Sequence, residues 1–412
     1  MTPLQQATMS ALNESLVLDF VREHGATSRP AITRALGLSP ASVSRIVGRL
    51  VQAGLITETP RPADGRGRPA ASLSFNSRAG CVLAIDLGGT KCHGVLADLS
   101  GQMLVEDVRP TSTKATPYQT LLSAIEHLVS AATAPLVAGA IGVPAIVDPV
   151  RGHVLGGPNV LWHDFALLDE LKGVLQVPLR VDNDVKLAAM AQAWRGLGRG
   201  VPDFATISIG TGVGAAVVAN GELVRGQNNA AGELGYLIID HRQLSEPHAD
   251  GLGGLESVIS GPAIAARARE LLTSLAHGAR GAGSASRLDA TTVTSEQVLV
   301  AALAGDRVAR QVVDEVLDAV VLALIALATT ADPTVIIIDG GVGRSLEPYL
   351  PRLSAALARH TPWTPKLAVS QLGSSATVIG AIATALWLDR QRAAPHLERS
   401  PSQPPTVSIH AA

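Results

Sequence analysis

The chain has 412 residues, of which 47% are hydrophobic and only 3% aromatic, so it can form two or three domains with aliphatic cores. It contains no run of about 18 apolar residues, which excludes a membrane-spanning helix. Its first residues lack the basic and then apolar pattern of a secretory signal. Two cysteines, Cys81 and Cys92, exclude a disulfide scaffold. We expect a cytoplasmic protein with no membrane partner.

The net charge of −2 conceals a difference between the two ends of the chain. Residues 1–80 carry nine arginines and five acidic residues, a net of +4, whereas the remainder carries 24 basic and 30 acidic residues, a net of −6. A basic N-terminal segment before an acidic body indicates that only the first segment approaches nucleic acid.

Two short helices are predicted at the start of the chain. Apolar residues repeat at helical spacing over 13–24, and Gly25 is placed to end this helix. Ser28 can cap a second helix that continues to Leu36. Helix, turn and helix in this order are the first half of a DNA-binding motif.

A third helix has the features of a recognition helix. Ser39 caps it and Pro40 occupies its first position, which together form a strong start signal. One face is apolar, and the other carries small residues and arginines that permit close approach to the major groove and pairing with guanine. The residues of this helix predicted to contact DNA are Ser39, Ala41, Ser42, Ser44, Arg45 and Arg49.

A β-hairpin with a basic loop is predicted to follow. Leu55 begins one strand and residues 72–75 form the second, while residues 61–68 between them are rich in Pro, Gly and Arg. The Arg-Gly-Arg-Pro segment of this loop resembles segments that enter the minor groove, so Arg66 and Arg68 are predicted DNA contacts. The order of elements predicts a winged helix-turn-helix. A small helical bundle with solvated arginines is the alternative.

One supersecondary unit occurs twice in the body. Residues 82–105 read as strand, Gly-Gly-Thr turn, strand, Ser-Gly turn and strand, and residues 205–224 repeat this order with Gly-Thr-Gly and Asn-Gly turns. Glycines and a hydroxyl in each first turn can present backbone amides to phosphate oxygens. A third glycine turn follows the apolar segment 335–338. The three turns predict a nucleotide site split between two similar lobes, and tight turns without a ligand are the alternative.

These motifs resemble those of the ROK family, which groups repressors and sugar kinases, and the N-terminal segment is similar to that of its regulators. The resemblance implies an α/β two-lobed actin-like (sugar kinase/heat-shock) fold preceded by an α+β winged helix-turn-helix domain. We expect a winged helix over 1–78, a first lobe over 79–182, a second lobe over 183–390 whose terminal helix returns to the first lobe, and a disordered tail over 391–412.

The resemblance also implies roles for individual residues. Asp184 would be the catalytic base if the protein is active, since a carboxylate can take the proton of a sugar hydroxyl that attacks a γ-phosphoryl group. Asp86 would hold Mg²⁺ through water. The implied sugar-binding residues are Asn159, Asn183, Asp184, Glu233, Tyr236 and Glu256. The implied nucleotide-binding residues are Asp86, Gly88, Gly89, Thr90, Lys91, Gly210, Thr211, Gly212, Gly340 and Gly341.

The chain departs from the family pattern beside the implied sugar site. Tyr236 stands where the family usually has a histidine, and no cysteine lies between residues 236 and 256, so the structural zinc site of one His and three Cys cannot form. His241 and His248 are expected to be solvated, and we predict no metal site and no zinc. Ala145 stands where the family often has Gly, so we expect an altered sugar pocket.

Two functions remain open from the sequence. One is a DNA-binding transcriptional regulator of carbohydrate metabolism, expected to repress, which senses a sugar or sugar derivative, binds operator DNA as a homodimer or homotetramer and requires no cofactor to do so. The other is an ATP-dependent sugar kinase acting on a hexose hydroxyl with ATP–Mg²⁺, alone or combined with regulation. The complete phosphate turn and Asp184 favour the kinase, while the altered sugar pocket and the DNA-binding segment favour the regulator. A scaffold that binds no small ligand is a third alternative.

Overall fold

The structure, a computed structural model, describes residues 3–60, 71–111, 117–157, 162–244, 252–278 and 286–393. These residues form a helical head with a small hairpin, followed by two five-stranded sheets that are flanked by helices. Within these ranges, no helix has the length and apolar character needed to cross a membrane.

The head has the predicted order of elements and differs at its start. Its first helix extends well before Asn13, because residues ahead of that position favour a helix individually without showing an apolar period. Ser28 and Ser39 cap the next two helices through their side-chain oxygens, as predicted. The head consists of α1 (Pro3–His24), α2 (Arg29–Leu36), α3 (Pro40–Gln52), β1 (Ile56–Thr59) and β2 (Ser72–Phe75), with the two strands antiparallel.

The apolar faces of these elements enclose one core. Its buried members come from all three helices and from the hairpin: Val17, Leu18, Val21, Ile32, Val43, Ile46, Val47, Leu50, Ile56 and Leu73. The opposite face of α3 stays exposed, as the sequence predicts from its periodicity. The face proposed to meet DNA is therefore available to solvent.

The first lobe contains a mixed sheet. Its elements are β3 (Cys81–Leu87), β4 (Lys91–Asp98), β5 (Met103–Pro110), α4 (Pro117–Ser130), β6 (Leu136–Val143), β7 (Ile146–Asp148), β8 (His153–Gly156), α5 (Leu167–Lys172) and β9 (Leu179–Asn183). The sequence places the next helix, α6 (Asp184–Arg195), at the start of the second lobe; we describe it with the first lobe because its Leu187 shares a core with β3, β6 and the last helix of the chain. The five-stranded order is β5-β4-β3-β6-β9, while β7 and β8 form a separate hairpin. β3 pairs antiparallel with β4 and parallel with β6.

The second lobe repeats this topology. Its elements are β10 (Phe204–Ile209), β11 (Val213–Ala219), β12 (Glu222–Leu223), α7 (Glu256–Ile259), α8 (Gly261–Gly278), α9 (Ser295–Leu303), α10 (Arg307–Ala331), β13 (Val335–Asp339), α11 (Gly341–Arg344), α12 (Leu350–His360), β14 (Lys366–Val369) and α13 (Ala376–Ala393). The order is β12-β11-β10-β13-β14, so β10 takes the place of β3. The predicted repeat of one strand-turn-strand unit is confirmed, and with it the two-lobed α/β fold.

The last helix, α13, packs on the first lobe rather than on the second. Its buried residues Val378, Ala381, Ile382 and Ala385 share a core with residues of β3 and β6. At Gly380 the helix lies against α6 so closely that an added Cβ would be 1.8 Å from the backbone oxygen of Leu187. The two helices therefore have no freedom to approach further, and they are held as one packed pair.

Candidate functional site

A cleft of about 610 Å³ is lined by residues of both lobes, where β3, β9, β10 and β13 end. The carboxyl ends of strands in α/β folds are the usual place for ligands. Asn159, one predicted sugar contact, lies outside the described residues. The other predicted sugar-binding and nucleotide-binding residues all line this cleft: Asp86, Gly88, Gly89, Thr90, Lys91, Asn183, Asp184, Gly210, Thr211, Gly212, Glu233, Tyr236, Glu256, Gly340 and Gly341.

The glycines of the turns have different structural reasons. Gly340 has a φ of +86°, and a Cβ there would be 2.3 Å from the backbone oxygen of Ile209, so the turn itself requires glycine. A Cβ at Gly341 would meet no atom within 4 Å, and one at Gly210 would meet only the nitrogen of Gly341 at 3.9 Å. Glycine at these two positions leaves open space in the cleft, which a ligand can occupy.

Two carboxyl groups of the first lobe interact in the cleft. Burial raises the pKa of Asp184 to about 7, and the charges of Asp86 and Glu233 add to the rise. Burial likewise raises the pKa of Asp86 to about 6, although the charge of Lys91 opposes it. A carboxyl group with a pKa near neutrality can accept or release a proton at physiological pH.

The predicted sugar-binding residues in the cleft come from both lobes. Asn183 caps α6, because its Oδ1 accepts a hydrogen bond from Lys186 N at 3.0 Å, and its Nδ2 donates to the oxygen of Ala145 at 3.1 Å. Burial raises the pKa of Glu233 and of Glu256. Tyr236, 49% exposed, also has a raised pKa through burial and these two carboxylates, so its hydroxyl remains protonated. This side offers mainly hydrogen-bond acceptors and one phenol.

An ion pair and a hydrogen bond next to the cleft connect its two sides. Arg225, which follows β12, donates two hydrogen bonds to Asp182 of β9, at 3.0 and 2.7 Å. Burial alone would raise the pKa of Asp182, but the charge and hydrogen bonds of Arg225, together with the charge of Arg180 and the N–H of Asn183, keep this pKa below its ordinary value. Lys186, 2% exposed, donates to the oxygen of Asn229 at 2.7 Å. The strand-helix junction that carries Asp184 is thus fixed to the loop that leads to Glu233.

Several residues of the cleft were not predicted from the sequence. Asp339 ends β13 in the cleft, with Arg344 Nη1 3.6 Å from its Oδ1. It follows the same pattern that identified Asp86, an acidic residue at the end of a buried strand ahead of a glycine turn, so the signal was present. Thr377 of α13 donates to the backbone oxygen of Asp184 at 3.4 Å. No sequence signal identifies that contact, because it joins residues far apart in the chain.

The part of the chain that the structure describes contains no group of three or more His, Cys, Asp or Glu side chains arranged to hold a metal ion. His241 has an 89% exposed side chain, 3.6 Å from Asp240. His248 lies outside the described residues. The prediction that zinc is absent therefore remains a prediction.

The recognition helix exposes most of its predicted contact residues. Ala41, Ser44 and Arg45 are exposed, whereas the hydroxyls of Ser39 and Ser42 bond to each other at 2.9 Å. Arg49 Nη2 lies 2.6 Å from Oε2 of Glu14 and 3.2 Å from the hydroxyl of Ser10, both on α1. Arg66 and Arg68 of the predicted wing lie outside the described residues.

Comparison with known proteins supports both parts of this architecture. The model of the ROK family matches residues 82–389, and the model of the MarR family matches residues 9–67. The xylose repressor of Caldicellulosiruptor bescii is 26% identical over 389 residues, which cover 91% of this chain and 95% of that protein.

Two solved structures are similar over long stretches. A ROK family transcriptional regulator, described as a homologue of the Escherichia coli MLC protein, covers 94% of this chain and 97% of its own at 27% identity, with a TM-score of 0.75. A ROK family glucokinase from Streptomyces griseus, in complex with glucose and AMPPNP, covers 74% of this chain and 99% of its own at 26% identity, with a TM-score of 0.63. The chain belongs to the ROK family and carries a MarR-type winged helix ahead of the family domain.

Proposed function

We propose that the protein is a DNA-binding transcriptional repressor of carbohydrate metabolism that senses a sugar or sugar derivative in its cleft. The observation that carries the proposal is the capped winged-helix head, with an exposed face of α3, packed on a two-lobed body that contains a polar cleft. Similarity over nearly the whole chain, in sequence to a xylose repressor and in fold to a solved ROK family transcriptional regulator, supports the proposal. Operator DNA and a sugar effector are the partners of such a protein.

We propose the following division of roles. The exposed residues of α3, led by Arg45, contact bases, and the wing arginines Arg66 and Arg68 contact the minor groove. Asn183, Asp184, Glu233, Tyr236 and Glu256, together with Asn159, bind hydroxyl groups of the effector. An array of acceptors suits a neutral, hydroxyl-rich ligand because each hydroxyl can donate one hydrogen bond.

Binding to the chain's own upstream DNA tests the proposal. We expect the wild-type protein to form a specific complex with this DNA at a stated salt concentration. Arg45→Ala should weaken binding by about 1–3 kcal/mol. Its thermal stability should stay unchanged, because Arg45 lies outside the head core. Fluorescence anisotropy against a scrambled DNA of equal length measures the specificity. If upstream and scrambled DNA bind equally well, the repressor proposal is wrong.

A palindromic operator would require two heads, and we propose a homodimer or homotetramer for this reason. Light scattering after gel filtration measures the mass directly. A 42.4 kDa particle at micromolar concentration, with or without operator DNA, would contradict this part of the proposal.

An ATP-dependent sugar kinase is a second candidate, and the raised pKa of Asp184 in a cleft with two phosphate-type turns favours it. Asp86 and the turns at residues 88–90 and 210–212 would hold ATP–Mg²⁺, which supplies the γ-phosphoryl group when bound. Asp184 would take the proton of the sugar hydroxyl. ADP release over a sugar panel, with Asp184→Asn as the control, decides the question. Turnover that disappears in Asp184→Asn establishes the kinase, and silence over the whole panel rejects it.

A further inference from the structure

The head contacts the body at the C-terminal end of α13. Arg22 of α1 has a 10% exposed side chain, and its Nη2 lies 3.6 Å from Oδ2 of Asp389 on α13. Its guanidinium lies 4.6 Å from the centroid of the Phe75 ring. Phe75 and Leu55 pack both against the core of the head and against the core around α13. A largely buried ion pair and shared apolar contacts therefore fix the head on this helix.

The opposite end of α13 lies in the cleft. Ala376 and Thr377 line it, and the Thr377 hydroxyl bonds to the backbone of Asp184. The helix has 18 residues. At about 1.5 Å per residue it spans roughly 27 Å. Its buried face packs on β3 and β6, and its backbone contacts α6 at Gly380. One rigid element therefore connects the cleft to the head.

On the head side, the contacts continue from Arg22 to the recognition helix. Val17 and Val21 of α1 share the head core with Val47 of α3. Glu14 of α1 pairs with Arg49 of α3 at 2.6 Å. A shift of α1 must therefore reach α3, because both the apolar core and a charge pair join them.

We propose that α13 transmits occupancy of the cleft to the head, and that the Arg22–Asp389 pair is the junction through which it reorients α3. The proposal rests on the proposed function as a sugar-responsive DNA-binding protein. A ligand that contacts Asp184 displaces the start of α6, and α13 follows because the two helices have no space between them at Gly380. Arg22 is a positioning residue, since it acts on DNA binding through α1.

Hydrogen exchange on the full-length, sugar-free protein tests the connection without any effector. Asp389→Asn removes the partner of Arg22 on α13, and the matched control Asp19→Asn removes its partner within α1, 3.5 Å away. We expect Asp389→Asn to speed exchange by about threefold or more in α1 and at the cleft end of α13, residues 376–382. Asp19→Asn should affect α1 alone. The proposal is overturned if Asp389→Asn speeds hydrogen exchange only in residues 386–393, or if it changes the same segments as Asp19→Asn.

Operator binding gives the functional readout. The affinity is measured with and without saturating xylose or glucose, whichever of the two raises the melting temperature. We expect Asp389→Asn to reduce the sugar-induced change in affinity by about threefold or more, with sugar-free affinity within about twofold of wild type. Equal sugar responses in wild type, Asp389→Asn and Asp19→Asn would overturn the proposal. Failure of the wild type to bind operator DNA contradicts the proposed function instead, and the exchange experiment still decides the coupling.

Discussion

The two lobes share one topology and place their acidic residues on different strands. In the first lobe Asp86 ends β3, and its partner on β6 is Gly142. In the second lobe the equivalent residue of β10 is Ser208, and its partner on β13 is Asp339. The two lobes therefore share their backbone topology. The acidic residue of the equivalent strand pair lies on β3 in the first lobe and on β13 in the second.

The acidic residues of the two lobes lie in different electrostatic environments within the cleft. Asp339 has Arg344 beside it and a hydrogen bond from the N–H of Gly340 at 2.7 Å. Burial raises the pKa of Asp339, of Asp86 (to about 6) and of Asp184 (to about 7), and only at Asp184 does the charge of other carboxylates, Asp86 first, add to the rise. Unfavourable electrostatics that persist in a fold indicate a functional site. We therefore propose that the reactive or sensing half of the cleft lies around Asp86 and Asp184.

The ion pair that joins the lobes gives the largest expected effect. Arg225→Met leaves Asp182 in a buried position with less compensating charge, and we expect a loss of about 3–5 kcal/mol in unfolding free energy. Arg267→Met, the control, breaks a pair with Glu315 on the surface of the second lobe and should cost about 1 kcal/mol or less. Urea unfolding measures both. Equal losses of unfolding free energy in the two variants would contradict the larger contribution expected from the buried pair between the lobes.

The end of β13 differs from the end of β6, where Pro144 replaces the glycine turn. We expect Gly340→Ala to cost about 2–4 kcal/mol, because its φ is positive and a Cβ would meet the oxygen of Ile209. Gly341→Ala, at the next residue, should cost about 1 kcal/mol or less, since its Cβ enters open space. Thermal unfolding of the two variants checks this, and a milder effect at Gly340 than at Gly341 would contradict the turn geometry.

The burial of the Asp184 carboxyl group, to which the charge of Asp86 adds, predicts a stabilising substitution. When a carboxyl group has a higher pKa in the folded state than in the unfolded state, the free energy of unfolding falls as the pH rises from the unfolded-state pKa to the folded-state pKa. For Asp184 this window runs from 3.8 to about 7. We therefore expect Asp184→Asn to raise stability on the order of 2 kcal/mol at pH 8, with little gain at pH 4.

Asp339→Asn is the matched control in the second lobe. Its gain at pH 8 should be smaller than that of Asp184→Asn, because Arg344 and the N–H of Gly340 offset the charge of Asp339. Melting temperatures of both variants between pH 4 and pH 8 test the contrast. A gain for Asp184→Asn that does not depend on pH would contradict it.

The smallest expected effect concerns the contribution of the second lobe to sugar binding. Tyr236→Phe removes one hydroxyl and should weaken sugar binding by about 1 kcal/mol, with no change in stability because the side chain is half exposed. Calorimetric titration with the sugar that stabilises the wild type measures the loss. An unchanged affinity would show that Tyr236 does not replace the histidine of the family pattern.

The local features of the fold follow from the sequence. Caps at Ser28 and Ser39, the apolar face of α3 and the repeated strand-turn-strand unit each depend on residues close together in the chain, and the structure confirms them. The early start of α1 was missed, because helix propensity without an apolar period gives no signal.

The contacts around the site depend on residues far apart in the chain. Arg225 reaches Asp182, Lys186 reaches Asn229, and the partner of Asp184 is Thr377 on α13. Spacing and propensity describe neighbours along the chain. They therefore identify the residues that line the cleft, but not the ion pair and hydrogen bonds between distant residues that hold the cleft together. The pKa values of Asp86 and Asp184 likewise depend on burial, which appears only in the folded chain.

The most direct test of the account is one titration of the upstream DNA with the full-length protein, with and without a sugar that raises its melting temperature. We expect specific binding without sugar and an affinity changed by about fivefold or more when a sugar occupies the cleft. If the affinity for the upstream DNA is the same with and without a sugar bound in the cleft, the claim that sugar binding in the body controls DNA binding by the head is wrong.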